Sequence, residues 1–205
     1  MPISRKEFFG VVGRAAAGTA AVSAIGVDHV SAAQAAAGAR PKKLEGAAIQ
    51  GATAAIKRFI ATTNLAGMPA DAVHMGKRCL IDGFGVILAG STVRGSAIVR
   101  EYIKATTDKK EGTALGPEKL MSTAALAALA NGASGHAMDF DDTQLSTTPD
   151  RTFGLLTHPT LPPLVASLAI SERMGLSGAA FLEAFLIGFE VECKIAEAIH
   201  PNHYK

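Results

Sequence analysis

The sequence predicts an all-α domain, on three observations. Alanine, the strongest helix former, provides 39 of the 205 residues, while strand-favouring aromatics are scarce, with no Trp and two Tyr. Apolar residues recur at i, i+3 and i+4 beyond residue 51, the period of a helix with one buried face. Hydrophobic residues at 48% and charged residues at 19% describe a chain that buries a core rather than a disordered one. The charge balance narrows the partners. Twenty Lys+Arg against 18 Asp+Glu leave a formal charge of +2, which provides no footprint for nucleic acid or anionic lipid. No run of 18 apolar residues is present, so no ordinary membrane span is expected.

The first 35 residues differ from the rest. Ser4-Arg5-Lys6-Glu7-Phe8-Phe9 is followed by a weakly apolar run from Ala15 to Val27 and by Ala33-Gln34-Ala35, an A-x-A exit. A basic start, a short apolar stretch and small residues at the end make an export signal. Ser-Arg-Lys-x-Phe-Phe resembles a twin-arginine signal with Lys in the second basic position, so the expected location is periplasmic. Residues 36–50 are small and polar and read as a linker, which leaves residues 51–205 as the domain.

Within the domain, Ile56, Phe59 and Ile60 open the helical period. Met68-Pro69-Ala70-Asp71 then places Pro at a helix start and an acid in its first turn. The helix that follows carries Val73, Cys79, Leu80, Phe84, Ile87 and Leu88. Its end is predicted at Ala89-Gly90-Ser91, with Gly90 as a left-handed cap. Gly83 and Gly85 inside it predict close approach of a neighbour. Ser96 to Thr106 is a shorter amphipathic helix, and Thr113–Gly116 a brief extended piece. Lys119 to about Asp139 reads as one helix with small residues on most faces, the pattern of a helix at the centre of a bundle. Gln144 to Thr157 has no period and is predicted to be a long loop, the kind that often carries function. Two helices close the domain, Leu161–Met174, with Pro162 and Pro163 in its first turn, and Ser177–Ile199. Cys79 and Cys193 lie in apolar helical surroundings and are predicted to be buried thiols.

The densest polar cluster is His136-Ala137-Met138-Asp139-Phe140-Asp141-Asp142-Thr143. On a continuing helix His136 and Asp139 share a face at i, i+3, and Asp139 and Thr143 share one at i, i+4. Three acids at a helix C-terminus oppose its dipole, and a locally costly arrangement marks either a site or a frayed, solvated end. Asp, Asp and His suit a hard cation such as Mg²⁺, yet the spacing fits neither a calcium loop nor H-E-x-x-H. The second candidate is Thr157-His158-Pro159-Thr160, just before a helix start. An imidazole there stays available as a neutral base or donor, and nearby backbone N–H groups can bind a carboxylate. A lone His is most often structural; paired with the Asp cluster it becomes an acid–base constellation. His74 reads as a surface or packing residue. No G-x-S-x-G elbow or activated Cys is present.

Ala130-Asn131-Gly132-Ala133-Ser134-Gly135-His136-Ala137-Met138-Asp139-Phe140-Asp141-Asp142-Thr143 resembles the signature of the MmgE/PrpD family. The family includes 2-methylcitrate dehydratases, cis-aconitate decarboxylases and iminodisuccinate epimerases. Thr157-His158-Pro159, the Lys77–Ser91 helix, Gly188-Phe189-Glu190-Val191 and His203-Tyr204-Lys205 are similar to further family segments. The likeness runs from about Thr53 to Lys205. It implies the family's N-terminal helical domain, with a second, α/β domain expected beyond Lys205. It also implies proton transfer beside a carboxylate on a small di- or tricarboxylate, with no metal or organic cofactor, and a homodimer in the full-length form. Asp139 and His158 match catalytic positions, and Thr143 and His158 match substrate-binding ones. The 14-residue interval between Thr143 and His158 is longer than the resemblance leads one to expect, which leaves the substrate open. On this reading the 205-residue chain is catalytically incomplete; the alternative is an exported, non-catalytic helical module that binds a carboxylate or a partner.

Overall fold

The computed structural model describes residues 51–145 and 155–198. The export signal predicted over 1–35, the linker over 36–50, and the closing His203-Tyr204-Lys205 lie outside the described residues. Six helices dominate: α1 (Ala52–Thr62), α2 (Ala70–Gly90), α3 (Arg94–Thr106), α4 (Ala124–His136), α5 (Leu161–Met174) and α6 (Gly178–Ala198). Two short antiparallel pairs are added to them. Strand β1 (Gly112–Ala114) pairs with β2 (Leu120–Ser122), Gly112 opposite Ser122. Strand β3 (Gln144–Leu145) pairs with β4 (Leu155–Thr157). The all-α expectation therefore holds. The Thr113–Gly116 piece is half of the first pair, and the predicted long loop is pinned at both ends by the second.

Helix α4 takes the central place that its small residues predict. Ala127 and Ala130 are buried, and α4 packs against α2, α3, α5 and the first hairpin. A side chain of one carbon lets neighbouring backbones come close, and here three helices do so at once. Its boundaries differ from the predicted Lys119–Asp139 at both ends. Leu120–Ser122 pairs as β2, and the Thr123 hydroxyl then accepts from Leu126 N at 3.3 Å as an N-cap. The helix stops at His136, because Asp139 turns left-handed at φ 55. The buried side chain of Asn131 ties α4 to β1, accepting from Leu115 N at 2.8 Å and donating to Thr113 O at 2.9 Å.

Helix α2 presents a stripe of Ala72, Gly76, Leu80, Gly83, Ile87 and Gly90 to the core, spaced three or four apart. A Cβ on Gly83 would stand 2.6 Å from Leu164 Cδ2 of α5, so this glycine marks the predicted close approach. Gly85 does not: nothing lies within 4 Å of the place its Cβ would take. Gly90 is helical rather than left-handed, since the capping residue is Ser91 in the right-handed region and Gly90 is absent from the positive-φ glycines. Close packing against α4 is what requires glycine at 90. Leu88, expected in the core, is exposed, as is Ile81 about two turns before it. The main core lies between α2, α5 and α6, with Ile87, Leu164, Phe185, Leu186, Phe189 and Cys193 at its centre. Neither cysteine is in a disulfide; Cys193 is buried and Cys79 half-buried. Among the described residues no helix is long and apolar enough to cross a membrane.

Candidate active site

The end of α4 and the start of α5 meet at one side of the bundle. After His136 the chain turns through Asp139, whose backbone N–H donates to His136 O at 3.2 Å. That reversal sends Asp141 back beneath α4, so the ring of His136 meets Asp141 rather than Asp139. His136 Nδ1 lies 3.0 Å from each carboxylate oxygen of Asp141. His158, from the other side, brings its Nδ1 to 3.3 Å from Asp141 Oδ2. The two rings touch edge to face with centroids 4.8 Å apart. Asp141 has only 2% of its side chain exposed, against 22% for His158 and 58% for His136. One buried carboxylate thus stands against two imidazoles: His136 Nδ1 is hydrogen-bonded to it, whereas His158 Nδ1 lies close without a hydrogen bond among the described residues. Where Nδ1–H donates to the carboxylate, Nε2 is left as the basic atom.

Asp142 points the opposite way. Its carboxylate accepts from Thr160 N at 3.1 Å and from Thr160 Oγ1 at 2.7 Å, at the N-terminus of α5. An acid that would oppose the dipole of α4 is thereby placed where the dipole of α5 favours it. This resolves the local conflict that the sequence displays. Thr157 Oγ1 donates to Glu192 Oε1 of α6 at 2.7 Å, which fastens the strand before His158 to the last helix. Burial pushes the Glu192 carboxyl above its usual range, against the pull of that hydrogen bond. Burial, with Asp142 nearby, likewise pushes the Cys79 thiol up to about 11, so Cys79 is no nucleophile at neutral pH.

Burial also raises the Asp142 carboxyl; the two bonds from Thr160 oppose the rise, and the charges of Asp82 and Asp141 add to it. A raised acid favours the fold in its protonated form. That contribution is full below the carboxyl's unfolded value and is lost as pH rises through the raised, folded one. Asp142→Asn carries no charge at any pH and keeps an oxygen for Thr160 N. Its Tm relative to the unmodified chain is expected to climb as pH rises from the ordinary carboxylate range, about pH 4, through the raised value of the folded state. Thermal melts by circular dichroism check this, and a difference that is flat across the span would contradict it.

A hollow of about 370 Å³ opens beside the pair of imidazoles. Gly132, Leu161, Pro162 and Val165 form its apolar side, and His136, Asp141, Thr157 and His158 its polar side. Of the predicted site residues, His158 lines the hollow. Asp139 is exposed at the rim, its carboxylate within 4.8 Å of the donor atoms of His136, Asp141 and His158. Thr143 is half-buried and does not line the hollow. The helix-face pairings of Asp139 with His136 and Thr143 are corrected, because α4 has ended before Asp139. Asp141, His136 and Glu192 are the functional candidates that spacing alone does not select. The run of three acids contained the signal, but choosing among them requires knowing where the helix stops. His136, Asp139, Asp141 and His158 are the described residues with the donor set to hold a metal. No Lys or Arg lines the hollow among the described residues.

The cis-aconitate decarboxylase of Homo sapiens is 30% identical over 127 residues, which cover 60% of this chain and 24% of that protein. The cis-aconitate decarboxylase of Mus musculus is 31% identical over 127 residues with the same coverage. The match thus spans about a quarter of the length of these relatives. No solved structure gives a significant match. The profile of the MmgE/PrpD N-terminal domain matches residues 54–205, which takes in all but the first two residues of α1, the whole of α2 to α6 and every residue of the hollow. This chain belongs to the MmgE/PrpD family and carries its N-terminal helical domain.

Proposed function

We propose that the chain is the helical part of a lyase or isomerase that moves a proton at a carbon beside a carboxylate of a small di- or tricarboxylate. The observation that supports this most is the pair of imidazoles on one buried carboxylate, opening on a hollow with room for such a molecule. Abstraction of that proton needs a positioned base and donors for the developing enediolate charge. His158 takes the base or carboxylate-binding role, with the buried Asp141 carboxylate beside its ring. Asp139 at the rim exchanges or orients protons, and Thr143, which does not line the hollow, is a substrate-binding position by the family resemblance alone. A polyanion needs more positive charge than two imidazoles offer. The remaining cations come from residues outside the described ones, in a second domain or a second copy, which makes a homodimer of the full-length protein part of this reading. The resemblance that names 2-methylcitrate and cis-aconitate as candidates sets their chemical class and not a choice between them.

The test is binding of cis-aconitate or citrate to the chain in the presence of a chelator, followed through the imidazole resonances in NMR. Saturable shifts at both His136 and His158 are expected, and His158→Gln should weaken binding by roughly tenfold, the value of one charge-assisted hydrogen bond. Ligand-independent spectra would sink the reading. Export through residues 1–35 belongs to the same proposal. A folded reporter fused behind residues 1–40 is expected outside the cytoplasm, and retention inside would count against it.

A further inference from the structure

Among the described residues, Thr157 is the one hydroxyl-bearing side chain on the wall of the hollow, and no Lys or Arg lines that wall. Beside the two imidazoles, it is the donor that the wall offers a carboxylate ligand. Its single proton is already committed. Thr157 Oγ1 donates to Glu192 Oε1 of α6 at 2.7 Å, so the hydroxyl turns only lone pairs toward the hollow. An ionised carboxylate is acceptor-only and fixes that direction. A protonated Glu192 has an O–H of its own, donates it to Thr157 Oγ1 and releases the threonine proton. We propose that Thr157 is a carboxylate-binding residue of the hollow and that Glu192 positions its proton, which points into the hollow only while Glu192 is protonated. The inference rests on the carboxylate reading of the hollow and adds to it a proton taken up with the ligand.

The setting of Glu192 suits this exchange. The residue is half-buried and does not line the hollow, so it meets the ligand through Thr157 rather than by contact. Burial raises its carboxyl above the ordinary range; the bond from Thr157 opposes the rise, Asp142 adds to it and His158 opposes it. Other charged groups on and around α6 have partners of their own. Glu183 accepts from Leu65 N, Glu190 stands 3.8 Å from Lys194, and Glu172 of α5 accepts from Thr113. Asp82 and Arg78 of α2 act on Cys79. A bound carboxylate brings further negative charge to this side of the bundle and favours the protonated acid still more. Binding therefore takes up a proton at Glu192 and weakens as pH rises through the value of its carboxyl.

The experiment is calorimetric titration with citrate, chelator present, from about pH 4.5, the ordinary Glu range, to about pH 8. It compares the unmodified chain, Glu192→Gln, Thr157→Val and the double variant. Glutamine is neutral at every pH, and its NH₂ group donates to Thr157 Oγ1 as the protonated acid does. Glu192→Gln should match the unmodified chain at the acidic end. At the alkaline end it should bind roughly tenfold more tightly, the worth of one hydrogen bond to a charged group. Comparing variants at one pH cancels the titration of citrate itself. Thr157→Val should lower affinity roughly tenfold at the acidic end, and adding Glu192→Gln to it should then change nothing. Thr157→Ala repeats that comparison without a branched side chain. Thr157→Ser should restore both the affinity and its pH dependence.

Three results would overturn the proposal. A constant ratio between Glu192→Gln and the unmodified chain across the span does so and leaves the carboxylate reading intact. A Glu192→Gln effect that persists in the Thr157→Val and Thr157→Ala backgrounds assigns it to charge repulsion alone. Citrate that binds to none of the proteins removes the carboxylate reading and this inference with it.

Discussion

Arg100→Ala is expected to destabilise the domain by about 3–5 kcal/mol, because it leaves two or three carbonyls without their donor. Arg100 is 2% exposed, although it is a charged residue on a surface helix. Its guanidinium donates from Nη1 to Ala114 O at 3.2 Å and Leu115 O at 2.9 Å, and from Nη2 to Glu118 O at 3.1 Å. Nε adds an ion pair with Glu118 at 3.6 Å. The fork thus gathers the carbonyls of the β1–β2 connection and fastens that connection to α3. Alanine would leave those carbonyls without a donor and open a void beside Ile103. A buried acceptor left unpaired costs about 1–3 kcal/mol, so two or three together reach the stated range. Arg100→Lys should recover only part of it, because a single ammonium cannot reproduce the planar fork. Urea unfolding of the three proteins checks this, and a loss below about 1 kcal/mol for alanine would refute it.

Two substitutions of one kind in α2 should have opposite signs. A Cβ on Gly90 would stand 1.9 Å from the backbone oxygen of Ser134 in α4, and 2.9 Å from its carbonyl carbon. No flexible side chain can yield there, so the helices themselves must separate. Gly90→Ala is therefore expected to cost about 3 kcal/mol, at the upper end of overpacking effects. Ser134 lies two residues before His136, so the displacement reaches the site and should weaken carboxylate binding as well. Gly85 faces solvent in the same helix, with nothing within 4 Å. Gly85→Ala should stabilise by about 0.5–1 kcal/mol through helix propensity alone. Thermal melts of the pair measure both, and equal shifts in the two would refute the packing account.

Much of the fold is legible in the sequence because helix periodicity is local. The buried stripe of α2, the proline start of α5 and the small residues of α4 each follow from neighbours three or four positions away. The left-handed cap was misplaced for the same reason. Glycine at 90 and glycine at 175 look alike in sequence, yet only Gly175 adopts positive φ, at 62°. What distinguishes Gly90 is a backbone oxygen 44 positions further on, which no local pattern contains.

The site shows the same division more sharply. His136, the three acids and His158 are visible as polar residues in an apolar setting, and their resemblance to the MmgE/PrpD signature brings the family with it. The sequence by itself determined the helical class, the family and the pool of residues from which the site is drawn. Only the tertiary structure decided their partners. A helix continued through Asp139 would have joined His136 to that acid. The left-handed turn at Asp139 ends the helix and passes His136 to Asp141, while the N-terminus of α5 takes Asp142. The physical reason is that buried carboxylates go where their charge is met, and the groups that meet it here, Thr160 and His158, come from the segment that leads into α5.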